Sequence, residues 1–236
     1  DPRKDTKLHT VCIGAEPHSE EQRKRIEQLL GVKAYNCFGM SEMNGPGVAF
    51  ECTEQNGLHI WEDNVIVEIV DPVTLQPVPE GEVGELVLTT INREAMPLLR
   101  YRTRDLTCIL PGDCPCGRTH KRLARFKGRS DDMIILKGVN LFPIQIEKIL
   151  MQFKELGSNY LITLETIGNS DEMLIEVELS DLFTDDYSAL QRLTKGITRQ
   201  LKDELLLTPR IKLVAKGSLP TTDGKAVRVK DHRKLC

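Results

Sequence analysis

Two thiols separated by a proline and followed by a glycine, Cys114-Pro115-Cys116-Gly117, form the most chemically pointed step in this chain. Such a knuckle clasps a metal ion from one side, and a structural zinc site needs two more ligands. Cys108 and His120 are the nearby candidates, and Cys52 and His59, with six residues between them, are the distant ones. We favour Cys52 and His59, because they sit in a loop ahead of a strand. Cys108 falls in an apolar strand pattern and suits a simply buried thiol. Zinc held this way would join two loops and help fold the β region. The competing interpretation is a set of ordinary reduced thiols.

Four further motifs are ambiguous when taken singly. Phe38-Gly39-Met40-Ser41-Glu42 can be a turn that opens a helix, and Tyr101-Arg102-Thr103-Arg104-Asp105 a solvated charge run. Gly128-Arg129-Ser130-Asp131-Asp132 can be a linker, and Pro220-Thr221-Thr222-Asp223-Gly224-Lys225 a surface loop.

The elements that must position these residues change character along the chain. A short apolar strand at 10–14, a helix from Glu20 to about Leu30 with Ser19 as N-cap and Gly31 as stop, and a strand at 32–36 make a strand–helix–strand unit. The first strand reads as buried yet nothing precedes it, which suggests a fragment. From 50 to about 90 the pattern alternates, with strands at 65–70 and 84–89, then at 98–101 and 106–110. Past 125–132 a smaller grammar begins: a strand at 133–136, a helix from Pro143 to about Lys154, and strands at 159–166 and 172–179. A long helix at 185–206 and a strand at 211–214 complete a βαββαβ-like order.

Composition is that of a soluble globular protein, 40% hydrophobic and 28% charged over 236 residues. A net charge of -3 and 5% aromatic residues argue against a nucleic-acid surface, although the basic clusters Lys121-Arg122 and Arg125-Lys127-Arg129 could meet one anionic ligand. No apolar run reaches membrane-spanning length, no signal segment opens the chain, and seven unevenly spread cysteines suit a reduced compartment. The expected location is cytoplasmic, with no membrane partner.

In order and spacing, the motifs resemble the signature run of the adenylate-forming superfamily. That run comprises an aromatic-Gly-x-Thr/Ser-Glu loop, a Gly-Glu-Leu strand, a Tyr-x-Thr-x-Asp turn, a Gly-Arg-x-Asp hinge leading to a Gly and a Pro-x-x-Ile-Glu helix, and a late Gly-Lys. Here these are Phe38–Glu42, Gly84-Glu85-Leu86, Tyr101–Asp105, Gly128–Asp131, Gly138 with Pro143–Glu147, and Gly224-Lys225. Within the superfamily, Gly14-Ala15-Glu16-Pro17, Leu58–Asp63, Pro97–Asp105 and Gly224–Val229 look like the phenylacetate–CoA ligases, Arg104 standing where many relatives carry Gly.

The resemblance implies a fold that is α/β and then α+β. Residues 1–127 would be the C-terminal portion of a large AMP-binding domain, and 128–236 a small mobile domain. It implies an ATP-dependent ligase that adenylates an aryl or arylacetic acid and transfers the acyl group to coenzyme A. An adenylation domain loading a carrier protein, and more remotely a zinc-dependent binding module, are the alternatives.

By resemblance, Ala15, Glu16, Pro17 and the ring of Phe38 line the adenine slot, Gly39 belongs to the nucleotide site, and Asp105 accepts from the ribose hydroxyls with Arg129 beside it. Ser41 donates to phosphate, and Glu42 takes Mg²⁺. Lys225 brings charge to the carboxylate and α-phosphate, Asp131 is the hinge, and Gly138 lets the pantetheine of CoA pass. Some such ligases carry a Cys/His/Cys/Cys cluster, corresponding here to Cys52, His59, Cys114 and Cys116. Asn140 stands where relatives often have Arg, so its role stays open. The Ser/Thr/Gly-rich loop for the β- and γ-phosphates is expected upstream, in a missing N-terminal half, so residues 1–236 alone should not make acyl-CoA. A homodimer is also compatible with this reading.

Overall fold

The computed structural model describes residues 1–43, 45–181, 186–220 and 226–233. They form two compact units, residues 1–17 with 23–132, and residues 18–22 with 133–236.

The first unit opens with a helical turn, α1 (Pro2–Asp5), and strand β1 (Thr10–Ile13). Helix α2 (Glu20–Leu30) follows, its start capped by Ser19, whose Oγ accepts the Gln22 N–H at 3.2 Å. Gly31, at a φ of +69°, reverses the chain out of the helix, as a left-handed C-terminal stop requires. Strand β2 (Lys33–Met40) then runs parallel to β1, closing the expected strand–helix–strand unit. Glu27 ties α2 to β2, accepting the Ala34 N–H at 3.0 Å and the Gln55 amide at 2.8 Å. Among the described residues β1 lies at the sheet edge, paired with β2 alone, its residues alternating exposed and half-buried.

A short 3-10 turn (Ser41–Met43) leads to β3 (Gly45–Glu51) and β4 (Leu58–Ile60). Strands β5 (Val65–Val70), β6 (Gly84–Thr90) and β7 (Tyr101–Thr107) form an antiparallel meander. β8 (Ile109–Leu110), β9 (Arg122–Leu123) and β10 (Gly128–Arg129) complete the unit. The six-stranded sheet has the order β1-β2-β3-β4-β9-β8, and the four-stranded one β10-β7-β6-β5. Their shared core includes Val48, Ala49, Leu58, Leu86, Leu88 and Leu123.

The strand expected at 98–101 begins only at Tyr101 and continues to Thr107. Leu98 instead closes a loop, its N–H donating to the Thr90 hydroxyl at 3.0 Å. The Tyr101–Asp105 motif, expected as a turn, is strand.

The second unit starts with the hairpin β11 (Ile134–Leu136) and β12 (Val139–Leu141). Helix α3 (Pro143–Leu150) has proline at its first position, and Gln145 Oε1 accepts the Phe142 N–H at 2.8 Å. It ends earlier than the expected Lys154. Strands β13 (Leu156–Ile167) and β14 (Ser170–Leu179) pair antiparallel. Helix α4 (Tyr187–Leu205) is capped by Asp186, which accepts the Ser188 N–H at 3.0 Å. Its buried residues Leu193, Ile197 and Leu201 recur every fourth position, one stripe facing the core. β15 (Arg210–Val214) and β16 (Val229–Asp231) complete a sheet of order β15-β14-β13-β16.

The division between units falls after Asp132, a few residues past the expected 127/128. The reason is β10: Gly128 and Arg129 pair with Leu106 and Asp105 of β7, which keeps the Gly-Arg-x-Asp motif with the first unit. No described helix is long and apolar enough to cross a membrane.

Candidate functional site

In the first unit, the loop after β1 carries Gly14, Ala15, Glu16 and Pro17, all exposed. A Cβ on Gly14 would stand 2.5 Å from the Cys37 carbonyl oxygen and 2.6 Å from its sulfur, so only glycine fits between β1 and β2 there. Ala15 follows at a φ of +68°, bending the chain sharply out of the strand. On β2, the ring of Phe38 packs on Phe126 with centroids 4.4 Å apart. Gly39 sits where the β2–β3 register shifts, between Phe38 and Met40. Ser41 and Glu42 lie exposed on the 3-10 turn, anchored by the buried Met43. The Arg93 guanidinium donates to the Glu42 backbone carbonyl oxygen, and Glu42 itself is exposed.

β7 and β10 put Asp105 directly opposite Arg129, with Oδ1 4.0 Å from Nη1. Arg129 makes a fork with Asp131, donating through Nε at 2.9 Å and Nη2 at 2.8 Å. Through Nη1 it also donates to the Thr103 carbonyl at 3.3 Å. That fork holds the Asp131 carboxyl below the usual range and raises the Arg129 guanidinium. The residue expected as a hinge is thus also the one that orients the expected nucleotide-binding arginine.

In the second unit, Lys137 (φ +49°) and Gly138 (φ +81°) are the two turn residues between β11 and β12, the tight hairpin geometry that needs positive φ at both. A Cβ at Gly138 would meet nothing within 4 Å, so that backbone is open to approach. Asn140 is exposed on β12 and pairs in register with Ile135. Lys225, with Gly224, lies outside the described residues.

Cys52, His59, Cys114 and Cys116 come together, their ligand atoms all within 4.8 Å of one another. Cys52 Sγ is 3.6 Å from Cys114 Sγ, and Cys116 Sγ is 3.4 Å from His59 Nε2. Tetrahedral zinc with bonds of about 2.3 Å to sulfur and about 2.0 Å to nitrogen has edges of roughly 3.5–3.8 Å; the sulfur–sulfur distance falls in that range and the sulfur–nitrogen distance lies just below it. The His59 ring presents Nε2 because its Nδ1 hydrogen-bonds the His120 carbonyl at 3.3 Å, a typical outer partner of a ligating histidine. His120 therefore contributes its backbone while its side chain stays outside the group, and the buried Cys108 is not a member of it either. Burial pushes the Cys52 thiol up to about 11 and the His59 imidazole down. The Arg118 backbone N–H draws Cys116 down to about 7, which favours its thiolate.

Sequence reasoning assigned no part to Phe126, Arg93 or Glu85. The carboxylate of Glu85 is fully buried, gripped by Arg102 Nε at 2.9 Å and Nη2 at 2.6 Å. Only the Gly-Glu-Leu motif hinted at it, and that motif names a strand without naming its partners.

The AMP-binding enzyme family matches residues 2–92, and the AMP-binding enzyme C-terminal domain matches residues 138–233. The two-unit fold and these matches set the class: the chain belongs to the AMP-binding, adenylate-forming enzymes. Within that class it is 43% identical to a phenylacetate-coenzyme A ligase of Thermus thermophilus, over 96% of this chain and 54% of that protein. It is also 43% identical to a phenylacetate-coenzyme A ligase of Pseudomonas putida, over 97% of this chain and 52% of the other. A crystal structure of 2-hydroxyisobutyryl-CoA ligase aligns with a TM-score of 0.85 at 30% identity, covering 93% of this chain and 48% of that one. The chain spans about half the length of the curated relatives it matches.

Proposed function

We propose that this chain is the C-terminal portion of an ATP-dependent ligase that converts an arylacetic acid, phenylacetate first, to its CoA thioester with release of AMP and pyrophosphate. The observation that carries this reading is the β7–β10 pairing. It sets a half-buried carboxylate, Asp105, against a guanidinium, in a chain whose curated relatives are phenylacetate-coenzyme A ligases.

The chemistry follows from charge. A carboxylate attacking the α-phosphate of ATP builds negative charge that cationic groups must meet. Asp105, with two acceptor oxygens, suits the paired ribose hydroxyls, and Arg129, oriented by Asp131, approaches the same nucleotide as a planar donor. Ala15, Glu16 and Pro17, with the Phe38 face, flank the base, and Gly39 leaves room beside it. Ser41 donates to phosphate oxygen. The exposed Glu42 carboxylate fits a magnesium ion that keeps most of its waters, and bound magnesium would neutralise phosphate charge. Lys225 is assigned to the substrate carboxylate and α-phosphate. Asp131 also serves as the hinge, and Gly138 admits the pantetheine arm of CoA.

Cys52, His59, Cys114 and Cys116 would hold a structural zinc, which ties the β3–β4 loop to the segment before β9. Free thiols at all six described cysteines support a cytoplasmic location. The phosphate-gripping loop and most of the acid pocket are assigned to a preceding half of the same polypeptide.

In the full-length polypeptide, phenylacetate should drive ATP–pyrophosphate exchange without CoA. Asp105→Asn should raise the KM for ATP by about tenfold or more, the loss of charge-assisted hydrogen bonds, with little change in that for the acid. Exchange that ignores the acid, or an Asp105→Asn enzyme with unaltered ATP dependence, would remove the basis of the reading.

A further inference from the structure

We propose that Glu85 is a positioning residue of the ribose site, its buried carboxylate setting the backbone from Arg102 to Asp105 so that Asp105 faces the nucleotide. The inference rests on the reading of Asp105 as the ribose acceptor.

The β6–β7 ladder is regular at both ends and irregular between them. Gly84 and Glu85 pair with Thr107 and Leu106, then the register slips before Val87 pairs with Arg102 and Leu88 with Tyr101. The slip leaves surplus chain on β7 through Thr103–Asp105, the arrangement of a β-bulge. Arg104 bends that surplus with a φ of +69°, a conformation that a non-glycine residue holds only when its surroundings impose it.

Glu85 supplies the constraint. Its Oε1 accepts the Arg104 backbone N–H at 3.3 Å while the same carboxylate takes the Arg102 guanidinium in a two-pronged grip. One buried group therefore pins the chain on both sides of Thr103. Thr103 completes the arrangement: its hydroxyl donates to the Leu86 carbonyl at 2.9 Å and accepts the Asp105 N–H at 3.1 Å.

A carboxylate with 0% exposure is expensive to desolvate unless paired, and burying one in a strand only to stabilise a sheet is a poor solution. Its grip raises the Arg102 guanidinium, keeping the cation in place. The groups its carboxylate holds, the Arg102 guanidinium and the Arg104 N–H, border and lie on the bulge that ends in Asp105.

The test uses the full-length polypeptide in acid-dependent ATP–pyrophosphate exchange, comparing ATP with 2′-deoxyATP. Glu85→Gln keeps the shape and loses the charge. It is expected to raise the KM for ATP by about tenfold, to leave the acid's KM within about twofold, and to shrink the preference for ATP over 2′-deoxyATP. Combined with Asp105→Asn it should add almost nothing further, because the two act through one contact. A Glu85→Gln enzyme that melts earlier but keeps the wild-type ATP KM and ribose preference would overturn the inference, as would effects that multiply in the double variant. Should Glu85→Gln fail to fold, Arg102→Met breaks the grip from its half-exposed end, and an unchanged ribose preference there overturns it equally. Asp105→Asn alone separates the two claims: if it leaves the ribose preference intact, the ribose reading itself fails.

Discussion

Arg104 shows how much one backbone angle explains. Its φ of +69° is the left-handed region, which disfavours a side chain by about 1–2 kcal/mol. Glycine would hold that conformation without the penalty. Arg104→Gly should therefore fold normally and melt at or slightly above wild type, whereas Arg104→Val should lose about 1 kcal/mol or more by thermal denaturation. At the metal cluster, Cys116→Ser removes a thiol whose ionisation is favoured. Bound zinc measured by elemental analysis should drop from about one per chain to near zero, and unchanged stoichiometry would remove zinc from the account. The cluster was legible because cysteine and histidine have few other reasons to recur at such spacings. Glu85 and Phe126 were not, since their partners Arg102 and Phe38 lie far along the chain and no local pattern marks the pairing.

At the scale of elements, close approach and burial decide what can change. A Cβ on Gly84 would stand 2.5 Å from the Val70 carbonyl oxygen and 2.9 Å from Ile69 Cγ2, so Gly84→Ala should cost about 1–3 kcal/mol and loosen the β5–β6 pair. In the second unit, burial raises the Glu147 carboxyl even though the Ser19 N–H, at 2.9 Å, and the Tyr160 hydroxyl, at 3.2 Å, donate to it and Arg228 lies nearby. A raised acid stabilises the fold below its ordinary 4.5, and that contribution is lost as pH rises through the elevated value. Glu147→Gln should thus gain on wild type as pH climbs from 4.5 toward neutrality, read as melting temperature across pH; parallel curves would contradict this. Long, periodic elements such as β5 and α4 were legible, because alternation and a four-residue stripe are strong signals. The two- and three-residue strands β9 and β4 were not, since their pairing is imposed by the sheet rather than by their own sequence. Leu98 was misassigned because apolar residues next to it suggested a strand, whereas Met96 and Leu99 are exposed and Leu98 closes a loop on Thr90.

For the whole molecule, the order of motifs was readable from sequence, and the division after Asp132 falls at the end of the 125–132 stretch read as the boundary. The Gly128–Asp131 motif looked like the start of the second domain, and only its pairing with β7 keeps it in the first. The chain matches about half of each phenylacetate-coenzyme A ligase compared above, and the proposed activity is accordingly assigned to a longer polypeptide. Its most direct test is mass-spectrometric detection of product after incubation with ATP, magnesium, phenylacetate and CoA, with residues 1–236 assayed in parallel. The account predicts phenylacetyl-CoA with equimolar AMP from the full-length protein and none from residues 1–236. ADP in place of AMP, product formed by residues 1–236 alone, or no thioester from the full-length protein would contradict it.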